Sequence, residues 1–277
     1  MISLQPESIF VLWLYFLIFF LGASFGSFLS SLIWRTYHQP NFLFPQSLFS
    51  RSFCPLCKNT LRTFDLVPIF SFVFLKGKCR YCKEKIPFWY LGIEFSSGIL
   101  FLFPFIFSPP QILSFSFFQF IIFWWTVSLI LIFFSFSDLL FLEISERAIF
   151  SSLFILSSLY FLFSFSSFFF EILNFLSSVL IFISFLGFLY LITSKKALGF
   201  GDIEFGVILG LILEGIEKAL LALIFSFLIG GVIGSIVLII KRKFGIRVPF
   251  IPFLSLGAII SFWWGENILN WYTLLIW

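Results

Sequence analysis

Leu198-Gly199-Phe200-Gly201-Asp202 sets one carboxylate behind two glycines, where one long apolar run gives way to the next. An acid at membrane depth costs about 2.5–3.5 kcal/mol on insertion scales, so a side chain placed there needs a role. The glycines remove side-chain bulk and are expected to let another backbone approach the carboxylate. Hydrolysis by acids takes two carboxyl groups in distinct roles. The chain offers a second acid in a similar setting, Asp138 in Ser137-Asp138-Leu139-Leu140, at the end of another apolar run.

The 277 residues are 61% hydrophobic, 23% aromatic and 11% charged, which places the chain among all-α polytopic membrane proteins and excludes an ordinary soluble domain. Phe and Ser dominate stretches such as 161–170, and this bias reads as apolar filler. A helix needs about 20 apolar residues to cross a bilayer. Eight candidate spans follow, at 8–34, 88–107, 111–136, 147–168, 171–193, 197–213, 217–240 and 250–275. The sixth is short, and the break at Phe170-Glu171 is weak. Pro109-Pro110 and Glu214-Gly215-Ile216-Glu217 mark tight turns. No basic residue precedes the first apolar run, so that run is expected to be a retained span.

Lys and Arg set the orientation. With the N-terminus outside, the inside segments are 35–87, 137–147, 194–196 and 241–249, and every basic residue except Lys218 falls in them or at their edges. Asp138 and Asp202 then share the cytoplasmic face. The expected domains are a first transmembrane helix at 1–34, a cytoplasmic metal-binding insertion at 35–87, and a transmembrane catalytic domain at 88–277.

All four cysteines lie in that insertion, as Cys54-Pro55-Leu56-Cys57 and Cys79-Arg80-Tyr81-Cys82. Two CxxC knuckles at this separation point to a four-thiolate zinc site. A reducing cytoplasm argues against two disulfides. A closed site leaves no position for water, so its zinc is structural and staples a segment with few apolar positions. In the first span, Gly22-Ala23-Ser24-Phe25-Gly26-Ser27 reads as a close helix contact or as part of a substrate site. Glu94, just inside the second span, either snorkels to the surface or lines a site. His38 is the only histidine, so neither Ser/His/Asp nor Cys/His chemistry has its base, and the carboxylates are left as catalysts.

These motifs, in this order, resemble the bacterial type IV prepilin peptidases, which are GxGD-type membrane aspartyl proteases. Gly22 to Arg35 is similar to the family's N-terminal motif. Cys54 to Cys57 and Gly77 to Cys82 are similar to its two knuckles, and Ile86 to Glu94 to the segment after them. Asp138 and Gly199-Phe200-Gly201-Asp202 match its two catalytic positions, and Val248 to Leu254 its proline-rich lead-in to the last span. The chain departs from the family where Leu142-Glu143-Ile144-Ser145-Glu146 replaces an Ile-Pro-Asp, where Glu204 stands for a lysine, and where Phe250-Ile251-Pro252 replaces Phe-Gly-Pro.

The resemblance implies an inner-membrane enzyme that cleaves the leader of type IV prepilins or pseudopilins at the cytoplasmic face. It also implies methylation of the new N-terminal amine with S-adenosylmethionine, at residues the motifs do not identify. The partners would be the prepilin and membrane lipid, with no nucleic acid. The alternatives are a peptidase without methylation, a relative acting on another signal, and a non-catalytic scaffold or transporter using the acids for ions or helix contacts.

Overall fold

A computed structural model describes residues 6–39, 51–108, 115–163, 168–193, 198–241 and 248–276. Pro109-Pro110 and the basic residues Lys195, Lys196, Arg242, Lys243 and Arg247 lie outside them. The elements are α1 (Pro6–His38), a short 3-10 turn (Thr63–Leu66), α2 (Phe70–Phe74), α3 (Trp89–Phe107), α4 (Phe115–Phe141), α5 (Glu146–Phe163), α6 (Phe168–Ile192), α7 (Phe200–Ile212), α8 (Ile216–Lys241) and α9 (Ile251–Ile276). The described residues contain no strand beyond two isolated bridges. Helices prevail because lipid offers no partner for backbone N–H and C=O groups, which must be satisfied within the segment. The many serines fit this scheme. Ser97, Ser128, Ser178 and Ser226 each return their hydroxyl to a carbonyl four residues back.

Eight of these helices match the eight apolar runs. Six are long and apolar enough to cross a membrane. Of the other two, α9 is long, but Glu266, Asn267 and Asn270 lower its hydropathy. The second, α7, has 13 residues, a rise of about 20 Å against a hydrocarbon core of about 30 Å. The weak break expected at Phe170-Glu171 falls inside α6, whose start precedes it. The turn at Glu214 to Glu217 is observed, with Gly215 at φ 96°.

Two compact units divide the chain inside α4, Met1–Phe133 and Phe134–Trp277. In the first unit, α1 packs along α3. A Cβ on Gly22 would meet the Ser97 carbonyl oxygen at 2.6 Å, and one on Gly26 would meet Glu94 Cα at 2.9 Å and the Ser97 hydroxyl. The small residues of α1 therefore serve a helix contact. Pro104 inside α3 cannot donate to the Leu100 carbonyl four residues back. The fully buried Trp124 supplies that donor from α4, its indole N–H reaching the Leu100 carbonyl at 2.8 Å. Trp125 does the same for Phe101 at 3.1 Å.

In the second unit the short α7 is the centre. Phe205, Ile208 and Leu209 are fully buried, and the Tyr160 hydroxyl of α5 closes the far end on the Leu211 carbonyl at 2.8 Å. Lys218, the one basic residue outside the expected pattern, pairs with Glu266 at 3.0 Å.

Trp124→Phe leaves the Leu100 carbonyl buried without a donor and should cost about 1–3 kcal/mol of stability, read as thermal unfolding in detergent. Adding Pro104→Ala restores an in-helix donor and should recover most of the loss. An unchanged Trp124→Phe melting temperature would contradict this pairing.

Candidate active site and cysteine cluster

Asp138 lies near the end of α4, 8% exposed. Its Oδ2 accepts the Ile251 N–H at the first turn of α9, at 3.0 Å. That N–H is one of the four a helix start cannot pair internally, and the positive end of the helix dipole favours a carboxylate there. The nearby prolines fit the same reading, because Pro252 sits where an N–H would have no helical partner. Sequence reasoning had marked this stretch only as a lead-in to the last helix. The signal was the proline pattern, and what it could not name was the acid 113 residues away.

Asp202 is also 8% exposed and is the third residue of α7. Its Oδ2 reaches back to accept the Gly199 N–H at 2.8 Å, while the Asp202 N–H donates to the Gly199 carbonyl at 3.2 Å. This closes the first turn of α7 reciprocally, in the manner of a capping box. The two carboxylates belong to one unit and lie close enough for the charge of Asp138 to bear on Asp202.

The glycines act differently from expectation. A Cβ on Gly201 would collide with the Ile144 side chain, so the approach at this glycine is by a side chain rather than a backbone. Ile144 belongs to the loop after α4, where Leu142 turns the chain at φ 53°, in the left-handed region usually left to glycine. Gly199 contributes its N–H to Asp202. Nothing but that carboxylate and the neighbouring backbone lies near its absent Cβ.

The other acids nearby differ in burial. Glu143 and Glu146 are exposed and Glu204 is half-buried. Glu146 and Glu204 are near enough to repel each other. The Ser137 hydroxyl, fully buried beside Asp138, has no hydrogen-bond partner among the described residues, and sequence reasoning gave it no role.

Two predicted residues fall elsewhere. Glu94 is buried in the first unit, and its Oε2 accepts the Ile69 N–H at 2.7 Å. It neither snorkels nor joins the aspartates in their unit. His38 is exposed at the end of α1, stacked on Trp34.

The four cysteines also sit in the first unit. All are free thiols, with their sulfurs within 4.8 Å of one another and Cys54 Sγ 3.9 Å from Cys82 Sγ. The two knuckles repeat one geometry. The Cys54 N–H donates to the Asn59 carbonyl and the Lys58 N–H to the Cys54 carbonyl. In the second knuckle the Cys79 N–H donates to Glu84 and the Lys83 N–H to Cys79. Lys58 and Lys83 both take a positive φ directly after the second cysteine of their pair. Burial pushes the Cys79 thiol up, but the N–H groups of Cys82 and Tyr81 and the thiols of Cys82 and Cys54 outweigh it and bring it down to about 7. The cluster can hold a metal ion.

A family model described as the bacterial peptidase A24 N-terminal domain matches residues 20–107, a range that takes in the four cysteines. A second, described as the type IV leader peptidase family, matches residues 125–235 and takes in both aspartates. Relatives named prepilin leader peptidase/N-methyltransferase include one from Bacillus subtilis (strain 168), 29% identical over 80% of this chain and 85% of its own. Those from Legionella pneumophila and Aeromonas salmonicida (strain A449) are 26% and 24% identical. They cover 80% and 94% of this chain, and 75% and 94% of their own. No solved structure matches the chain. With two models that together span most of its length and relatives that agree in name, the chain belongs to the type IV leader peptidase family.

Proposed function

We propose that this protein cleaves the leader peptide of a prepilin or pseudopilin with Asp138 and Asp202 as its catalytic pair. The observation that carries the reading is the burial of two carboxylates in one unit, each held by a helix N-terminus, with the charge of Asp138 bearing on Asp202. Acid–base hydrolysis needs the two carboxyl groups in different protonation states. The ionised member takes a proton from water, and the protonated one donates to the scissile carbonyl or the leaving amine. Backbone N–H groups, Ile251 for Asp138 and Gly199 for Asp202, fix the orientation of both carboxylates.

The cysteine cluster fits zinc. Tetrahedral Zn–S bonds of about 2.3 Å set neighbouring sulfurs about 3.8 Å apart. The observed 3.9 Å between Cys54 and Cys82 agrees. Four protein thiolates fill the coordination sphere, so the ion would hold the insertion together without touching substrate. N-methylation with S-adenosylmethionine rests on the relatives' names, and no residue here is assigned to that cofactor.

The distribution of Lys and Arg supports an inner-membrane protein with the zinc-binding insertion at 35–87 and both aspartates on the cytoplasmic side. In that arrangement 1–34 is the first transmembrane segment and 88–277 the peptidase domain. A basic leader could reach the pair from the cytoplasm while the apolar helix behind it lies in lipid.

Asp138→Asn and Asp202→Asn should each slow cleavage of a prepilin by at least about a hundredfold, with the melting temperature nearly unchanged. Glu143→Gln and Glu204→Gln should alter rate or leader preference and leave the chemistry. Full activity in Asp138→Asn with loss in Glu143→Gln would move the first role to Glu143. Activity in both aspartate variants would end the peptidase reading.

Metal analysis of the purified protein should find one zinc per chain, and Cys57→Ser or Cys79→Ser should remove most of it. A protein free of metal at neutral pH would contradict the site. Reporter fusions after Arg62 and at the C-terminus should report opposite sides of the membrane; matching sides would overturn the eight-span topology.

A further inference from the structure

Between the two knuckles runs a segment more apolar than an aqueous insertion requires, Phe64-Asp65-Leu66-Val67-Pro68-Ile69-Phe70-Ser71-Phe72-Val73-Phe74-Leu75. It leaves large side chains uncovered. Phe64 is 78% exposed and Phe74 79%, and Val73 and Phe70 are exposed beside them. A soluble domain of this size would bury them or associate through them.

The position of this segment along α1 identifies what covers it. Trp13 and Trp34 bracket a stretch of α1 without a charge, 21 residues apart, or about 31 Å of helix. That matches the hydrocarbon core, and tryptophan favours its two borders. Trp34 meets Phe53 of the first knuckle, which sets the knuckle at the border. Phe70 of α2 instead meets Phe20, its ring centroid at 6.0 Å. Phe20 is 14 residues from Trp34 and 7 from Trp13, well inside the uncharged stretch. Glu94, which holds the Ile69 N–H, is packed against Gly26, more than two helical turns inside Arg35. The segment thus descends beside α1 from the border to membrane depth.

Irregular backbone survives at that depth only where its polar groups are satisfied. Here they are. The Ile69 N–H goes to Glu94 Oε2, Ser71 N–H to Val67, Val73 N–H to Ile69, Leu75 N–H to Ser71 and Gly77 N–H to Phe72. Pro68 has no N–H to satisfy. Ile69 itself is at φ 62°, which turns the chain and aims its N–H at the carboxylate. The exit carries Lys76 and Lys78, and Arg62 and Arg80, the latter paired with Asp65 at 2.6 Å, line a cavity of about 490 Å³ together with Phe64, Phe70, Phe74 and Leu75. Basic groups and phenylalanines on one cavity suit a lipid, whose phosphate and acyl chains lie side by side.

We infer that residues 66–75 form a re-entrant anchor that dips into the lipid between the two knuckles, latched at its deepest turn by Glu94. The occupant of its outer face is bilayer acyl chain. The anchor fixes the insertion against the membrane at a third place besides α1 and α3, and it gives Glu94 a positioning role outside the peptidase chemistry.

The test is depth. A spin label on a genetically encoded keto amino acid at position 74, in full-length protein in nanodiscs of phosphatidylethanolamine and phosphatidylglycerol, should collide with oxygen several-fold more than with a water-soluble nickel chelate. The same label at position 81, on the second knuckle, should show the reverse. Glu94→Ala should mobilise the label at 74 and raise its nickel accessibility, while Glu94→Gln, which keeps an acceptor for the Ile69 N–H, should hold it in place. The zinc content of Glu94→Ala, expected unchanged, separates release of the anchor from unfolding of the insertion. Nickel accessibility at 74 equal to that at 81 would overturn the anchor, whether water or another protein covers this face. A label indifferent to Glu94→Ala would overturn the latch.

Discussion

The constraint behind this structure is that a buried carboxylate must find donors, and in lipid those donors are free backbone N–H groups. Helix starts are where such groups occur in quantity. Asp202 uses the start of its own helix, α7, and Asp138 uses the start of α9. Glu94 uses the N–H of Ile69 in an irregular turn. Among the described residues these three buried acids therefore rest on main-chain donors, with no ion pair to a cation. The arrangement stabilises the charge without neutralising it, and this is what a proton-transferring pair requires.

The same constraint explains the shape of the second unit. A 13-residue helix is too short to cross a membrane, yet α7 is the most completely buried helix of its unit. At its start Gly199 and Phe200 are exposed, while the Asp202 side chain turns back and is buried. Ile144 reaches over Gly201 from the loop that follows Asp138, so the loop after one aspartate packs on the turn that carries the other. A side chain at position 201 would force that loop away. The positive φ of Leu142 shows that the loop is bent to make this approach.

Much of this was legible in the residues. The apolar runs located eight helices, because a run of that length has few other uses. The cysteine spacing located the cluster, because a knuckle is a local structure and its geometry lies within six residues. The small residues of α1 were legible as a contact surface, although their partner, Ser97 on α3, was not. What could not be read were the long-range partners. Glu94 was left between snorkelling and catalysis because its donor, Ile69, is 25 residues away and freed only by an unusual φ. The donor from Trp124 to the Leu100 carbonyl left open by Pro104 was not read from the sequence at all. The glycines of the Gly-Phe-Gly-Asp turn announced a close approach, and the approaching group proved to be a side chain. Sequence carries local geometry well; it carries the identity of a distant partner only when both ends bear a mark.

The central claim is that Asp138 and Asp202 act as one site. A cryo-electron microscopy map of the protein in a lipid nanodisc, at a resolution that shows water, tests it most directly. The account predicts Asp138 on the Ile251 N–H, Asp202 on the Gly199 N–H, and one water within hydrogen-bond reach, about 3 Å, of both carboxylates. Carboxylates too far apart to share a water, or lying at opposite faces of the bilayer, would contradict it.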